Sequence, residues 1–209
     1  MKKDGFKYLF ALLLFGSNGI VASHIALTSY EIVFLRTMIG GVLLLAIFLL
    51  TKGRFTFLRH RRQFGFLAVS GIAMGVSWMF LYEAYRQVGV SVASLAYYCG
   101  PVLVMALSPL LFQEKLTAPR TAGFLIVLVG VFLVNGQAVQ SGAVGWGLFC
   151  GGMSAVMYAL MVIFNKKAKN IKGLENSMLQ LVVSFLTVAV FVGLKQGIVG
   201  PVSGSGVVW

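Results

Sequence analysis

Long stretches without a single charge decide what this chain can fold into. There are 23 uncharged residues between Lys7 and Glu31, 20 between Arg62 and Glu83, 27 between Arg86 and Glu114, and 19 between Glu175 and Lys195. A helix needs about 20 largely apolar residues to cross the hydrocarbon of a bilayer, so each run is long enough to span. The 45-residue uncharged stretch from Thr121 to Asn165 holds two more spans, with Gln140, Ser141 and Gly142 as a polar turn between them. The alternation of a membrane β-barrel is absent. Seven helices are therefore expected: Tyr8 to Leu27, Ile32 to Thr51, Phe64 to Glu83, Val92 to Phe112, Thr121 to Val139, Val144 to Phe164, and Ser177 to Leu194. The fold class is all-α, a polytopic membrane helical bundle. Composition agrees: 59% of the residues are hydrophobic and 11% charged, against roughly 25% charged in a soluble domain.

The remaining charges are lopsided, 17 Lys plus Arg against 5 Asp plus Glu. In a soluble domain that balance would suggest nucleic acid. Here the basic residues fall in alternate loops: Lys2, Lys3 and Lys7; Lys52, Arg54, Arg59, Arg61 and Arg62; Lys115 and Arg120; Lys166, Lys167, Lys169 and Lys172. Only Arg86 and Lys195 lie in the loops between, and Arg36 sits inside the second span. Short loops rich in Lys and Arg stay in the cytoplasm, so a multi-pass protein of the cell (inner or plasma) membrane with a cytoplasmic N-terminus is expected. The basic start followed by an apolar run also resembles a secretory signal. Signal cores are about 7–15 residues, whereas this run continues past Ala22 to Leu27, which favours a retained span.

One Asp, two His and two Cys are too few for a carboxylate, metal-ligand or disulfide constellation. No catalytic residues, cofactor, metal or nucleic-acid partner are expected, and a membrane-embedded enzyme lacks the clustered acids or histidines it would need at the membrane face. The partners implied are the lipid bilayer and a small-molecule solute.

The segment from Glu31, EIVFLRTMIGGVLLLAIFLL, lies against that from Glu175, ENSMLQLVVSFLTVAVFVGL. Each opens with Glu, carries a polar residue five positions on (Arg36, Gln180), and then turns apolar. A unit repeating after five spans enters the membrane upside down the second time, and inverted repeats are a transporter architecture with the substrate site near the midplane.

From Phe80 to Asn135 the chain has a small-residue entry into the fourth span, Pro101 at its centre, a Glu-Lys-Leu-Thr turn from Glu114 to Thr117, and then Gly123 and Gly130-Val131. On these residues, and on Arg36 early in the second span, it resembles the EamA family of the drug/metabolite transporter superfamily. The resemblance implies two inverted five-helix units. Residues 1–140 would be the first, and 141–209 the start of the second. It also implies three further helices. Spans six and seven would then present Gln180 and Ser184 to lipid, and the chain is expected not to transport alone unless a homodimer supplies the missing wall.

A solute cavity needs polar and aromatic side chains at depths where they seldom face lipid. The candidates are Ser17 and Asn18 in the first span, Trp78 and Tyr82 in the third, Ser94, Tyr98 and Pro101 in the fourth, and Ser154 and Tyr158 in the sixth. Each has an ordinary structural alternative. Tyr82 and Tyr85 also suit an interfacial belt, Ser17 and Ser94 can bond their own helix, and Pro101 is first of all a kink. Gly71 with Gly75, and Gly147 with Gly151, have the spacing of helix-packing contacts. Arg36 and Glu83 are expected at similar depth and form a candidate intramembrane ion pair. The function expected from the resemblance is a carrier moving a small metabolite, an amino acid or related amphipathic compound, outward by alternating access. The alternative is a truncated or non-transporting membrane subunit or assembly factor.

Overall fold

The computed structural model describes residues 27–53, 55–113 and 145–198, with further positions between 5 and 13 and between 117 and 133; at 195–198 only the backbone is described. Expected spans one and five, and with them Ser17 and Asn18, lie outside the described residues or nearly so. Four helices are described: α1 (Ser29–Leu50), α2 (Arg61–Phe112), α3 (Gly145–Lys167) and α4 (Gly173–Ile198). All four are long and apolar enough to cross a membrane.

Helix α1 starts three residues before the expected span because its first turn makes use of a charge. The Thr28 hydroxyl accepts from the Glu31 N–H at 3.4 Å while the Glu31 carboxylate accepts from the Thr28 N–H at 2.8 Å. This capping box satisfies donors that the helix cannot satisfy internally. Side chains along α1 such as Ile39, Val42, Leu43 and Leu50 point outward, Leu50 with 83% of its surface exposed. Contiguous apolar surface of this kind suits hydrocarbon and not water.

The 52 residues of α2 would reach nearly 80 Å as a straight rod, more than twice the hydrocarbon thickness. The chain folds back instead. Its backbone leaves helical geometry at one residue, Gly89 (φ 78, ψ 162), a conformation open to glycine and strained for residues with a Cβ. The expected loop of 84–91 is therefore a single-residue turn, and Arg86 and Gln87 remain helical.

Contacts with α3 show the reversal. In the arm 61–88, Ser70 Oγ donates to the Met161 carbonyl (2.7 Å) and Ser77 Oγ to that of Ser154 (2.8 Å), while Val88 lies against Gly147. That arm runs antiparallel to α3. In the arm 90–112, Ala96 meets Gly151, Gly100 meets Tyr158, and the Phe112 ring lies 4.1 Å from the Lys166 ammonium. That arm runs parallel to α3, so the two arms are antiparallel to each other. Pro101 does not break the helix; the break is at Gly89. A proline φ near −65° is already helical, whereas the conformation at 89 is not.

Helix α4 packs between α1 and the first arm of α2. Against α1 it is antiparallel, with Tyr30 on Phe191 and Phe34 on Phe185, both at 5.3 Å between ring centroids. Against α2 it is parallel, and very close. A Cβ on Gly71 would stand 2.7 Å from Val183 Cβ and 2.8 Å from the Gln180 carbonyl oxygen, and one on Gly75 would stand 3.0 Å from that of Ser184. These glycines are packing contacts.

They also correct the expectation that Gln180 and Ser184 face lipid. The Gln180 amide donates to Ser70 Oγ at 2.7 Å, and Ser184 is fully buried. Small residues on α2 let α4 approach closely enough to bury Ser184 and to bring Gln180 onto Ser70.

All described basic loops meet at one end of the bundle. There Phe48, Leu67, Ile171 and Met178 form an apolar core. The Glu175 carboxylate accepts from the Thr56 N–H (2.7 Å), the Phe57 N–H (3.0 Å) and the Thr56 hydroxyl, pinning the connection after α1 to the start of α4. A second core, around Val33, Met79, Tyr82 and Val188, lies toward the other end.

Candidate functional site

Toward that second end, α1 and the first arm of α2 run antiparallel, which sets which residues face each other. Ser29 comes opposite Glu83, and Arg36, about two turns deeper, comes opposite Trp78 and Tyr82. The Arg36 guanidinium donates through Nη1 to the Tyr82 hydroxyl at 2.8 Å and lies over the Trp78 ring, 4.1 Å from its centroid. Trp78 and Tyr82 are four residues apart on one helical face, so a single arginine engages both. A cation above an indole is attracted by the ring's negative face.

Glu83 is held otherwise. Ser29 Oγ donates to one carboxylate oxygen at 3.0 Å and Gln87 Nε2 to the other at 3.0 Å. The two charges expected to pair thus each have other partners. Their separation along the helices, greater than the depth estimate from sequence, is the reason: Glu83 belongs to the register of Ser29, not of Arg36.

Aromatic rings extend from this point across the hairpin of α2 to α3. Tyr82 stands 5.3 Å from Tyr85, whose hydroxyl accepts from Ser94 Oγ at 3.3 Å across the Gly89 turn. On the second arm Tyr97 meets Tyr158 of α3 edge-on at 5.2 Å. The guanidinium thus meets one phenol and one indole directly, and further tyrosine rings continue from them along the hairpin of α2 to α3.

The structure distributes the sequence candidates unevenly. It brings Trp78 and Tyr82 onto Arg36, sets Ser94 against Tyr85 and sets Tyr158 against Tyr97. Ser154 is buried, bonds the Gly151 carbonyl of its own helix at 2.7 Å, and serves helix packing. Tyr98 is 42% exposed, beside the buried Tyr97, and Pro101 is exposed. Tyr97 was not singled out from the sequence. The signal that finds it is the small-residue stripe Ala93, Ala96 and Gly100, which marks the face against α3 and includes position 97 but not 98. Ser29 and Gln87, which hold Glu83, carried no sequence signal beyond proximity to the helix ends.

At the opposite, basic end, an open groove of about 430 Å³ is lined by Asn165, Lys169, Lys172, Asn176 and Ser177 among others. Its asparagines are already engaged, Asn165 with Asn176 at 3.0 Å and Asn176 with the Ile171 carbonyl at 3.0 Å.

Comparison with known proteins agrees with the resemblance in the sequence. The family described as "EamA-like transporter family" matches residues 6–136. An "uncharacterized transporter" of Bacillus subtilis is 26% identical over 201 residues, covering 91% of this chain and 64% of the relative. One from Helicobacter pylori strain 26695 is 28% identical over 153 residues, covering 69% of this chain and 50% of the relative. A third, from Helicobacter pylori strain J99, is 29% identical over 130 residues, covering 59% and 43%. The chain therefore spans between about two fifths and just under two thirds of the length of these relatives. No solved structure gives a significant match.

Proposed function

The chain belongs to the EamA-like transporter family, and on that premise we propose that it works as part of a carrier moving a small amphipathic metabolite outward across the inner membrane by alternating access. An amino acid or a related compound is the solute class, and the Arg36 aromatic cluster is the site. The basic end of the bundle is cytoplasmic in this reading, as the concentration of Lys and Arg there requires.

The observation that carries the proposal is the relation between α1 and α4. These are the two helices that align in sequence from Glu31 and from Glu175, each with its Glu in the first turn. They pack antiparallel against one another, α1 donating to α2 through Arg36 and α4 through Gln180. Equivalent helices of opposite direction, side by side, support an inverted repeat, in which one half rocks against the other around a shared midplane site. The remaining wall comes from further helices or from a second copy.

Cells deleted for the gene, loaded with labelled amino acids and related metabolites, test the reading. At least one solute should be retained longer than in the parent, with export restored by the wild-type gene. Equal retention of every solute, together with no saturable counterflow in membrane vesicles, overturns it.

A further inference from the structure

We infer that Arg36 is the anchor for a carboxylate on the transported solute, so that the site selects singly charged organic anions or zwitterions over their neutral counterparts. This rests on the carrier reading and names the chemistry of its substrate. An arginine sits some two turns inside the bundle, and a charge at that depth is retained when it has a partner or a task. Among the described residues its partners are neutral: the Tyr82 hydroxyl and the Trp78 ring.

Among the described residues, the acids are committed elsewhere. Glu83 accepts from Ser29 and Gln87, Glu31 caps Thr28, and Glu175 holds Thr56 and Phe57 at the opposite end. A guanidinium has five N–H donors in a planar fork. One is spent on Tyr82, and Trp78 occupies a face and not an edge, so edge donors remain for a carboxylate in the bidentate geometry arginine favours. Trp78 and Tyr82 meanwhile fix the fork, which lowers the ordering cost of binding.

Charge balance bears on the anionic group. One guanidinium with one carboxylate is a locally neutral pair, the form that a low-dielectric cavity holds most readily, whereas a phosphate dianion would leave a net negative charge behind; the ammonium of a zwitterion is not balanced by Arg36 and has to keep acceptors or water of its own. The adjoining rings of Tyr85, Tyr97 and Tyr158 suit an apolar body attached to that carboxylate.

Trp78 reports the event, because the group that binds the anion lies on its ring. The chain has three Trp, so Trp146→Phe with Trp209→Phe leaves Trp78 as the sole indole. In lipid nanodiscs this protein is titrated with hexanoate and with hexanamide. Hexanoate should change Trp78 emission saturably, and hexanamide should do so only at concentrations at least tenfold higher. Arg36→Gln should abolish the difference between the two, and Arg36→Lys, which keeps the charge and loses the fork, should weaken hexanoate at least threefold while preserving its advantage over the amide. Equal titration by acid and amide, or unchanged hexanoate binding in Arg36→Gln, overturns the inference. If Arg36→Gln does not fold, the Arg36→Lys titration and the acid-to-amide ratio in the parent decide it. Export of neutral solutes with no preference for carboxylates overturns this inference and leaves the carrier reading standing; selective hexanoate binding in a protein whose deletion alters no export does the reverse.

Discussion

The Arg36 guanidinium lies 4.1 Å from the centre of the Trp78 ring while donating to Tyr82 one turn further along the same helix. This arrangement solves, without a carboxylate, the problem of placing a permanent charge between membrane helices. It also ties α1 to the first arm of α2 about two turns in from the start of α1.

Removing the Tyr82 hydroxyl should expose how much that tie contributes. Tyr82→Phe keeps the ring in its packing and deletes the acceptor for a charged donor, an interaction worth about 1.5–3 kcal/mol. Thermal unfolding in detergent should fall accordingly, and Trp78→Leu should cost a comparable amount through loss of the cation–ring contact and buried area. In the double-mutant cycle the two losses should not add, since both act on Arg36. Strict additivity would show that the guanidinium does not couple them.

At Gly89 the backbone conformation, not space, restricts the residue. A Cβ there meets nothing within 4 Å, yet φ is 78°. Gly89→Ala should therefore cost about 1–3 kcal/mol from backbone strain alone. Gly152, helical and equally open, is the control: Gly152→Ala should be neutral or stabilise by up to about 1 kcal/mol. Matching effects of the two substitutions would contradict the single-residue turn.

Much of this architecture was legible because charge and length are coarse signals that membranes enforce strictly. Expected spans two, six and seven coincide with α1, α3 and α4 to within a few residues at most ends. The departures come from polar groups that stay inside helices. Glu31 bounds an apolar run, yet it caps the helix that run belongs to. Arg86 and Gln87 read as a loop, yet only Gly89 leaves the helix. At the site, the sequence placed Trp78, Tyr82 and Arg36 at useful depths, but which faces meet depends on register. The observed register gave Glu83 to Ser29 and left Arg36, about two turns deeper, to the aromatics. Tyr97 rather than Tyr98 is the buried one of the pair for a related reason: neighbouring residues on a helix point about 100° apart, and only the stripe of small residues tells which one is inside.

Sidedness follows from the same geometry. Arg86 is exposed beside the Gly89 turn, and Lys169 is exposed in the basic connection between α3 and α4. In a background with Cys99 and Cys150 replaced, Arg86→Cys should react with an impermeant maleimide on intact cells, and Lys169→Cys only after permeabilisation. Labels on the opposite sides would invert the topology, and with it the direction in which the repeat is read.

The glycine contacts of α2 with α4 carry a sharper steric test. At Gly71 the atoms facing a new Cβ include a backbone oxygen and the branched carbon of Val183, neither of which can swing away as the end of a flexible side chain would. Gly71→Val should destabilise by about 1–3 kcal/mol, the range for overpacking in a filled core. Gly65→Ala on the same helix, where nothing lies within 4 Å, should not. Equal tolerance at both positions would mean that α4 is not packed against this face.

Glu175 makes the last and most local prediction. Its carboxylate takes three donors from the connection after α1: the Thr56 N–H, the Phe57 N–H and the Thr56 hydroxyl. Both oxygens are used, and the residue is 6% exposed. Glu175→Gln preserves shape but replaces one acceptor oxygen with an NH2, which must then face a donor. Part of the network is left unsatisfied, at a cost of about 1.5–3 kcal/mol for hydrogen bonds to a charged group. Thr56→Val removes only the hydroxyl and leaves both backbone donors bonded, so it should cost less. Because the latch lies at the basic end, far along the bundle from Arg36, the damage should stay local: hydrogen exchange at the Thr56 and Phe57 amides should speed up, while Trp78 emission in the free protein should not change. A shift of Trp78 in Glu175→Gln would mean that the two ends of the bundle are coupled and that the latch is part of the moving machinery, not a fixed clasp.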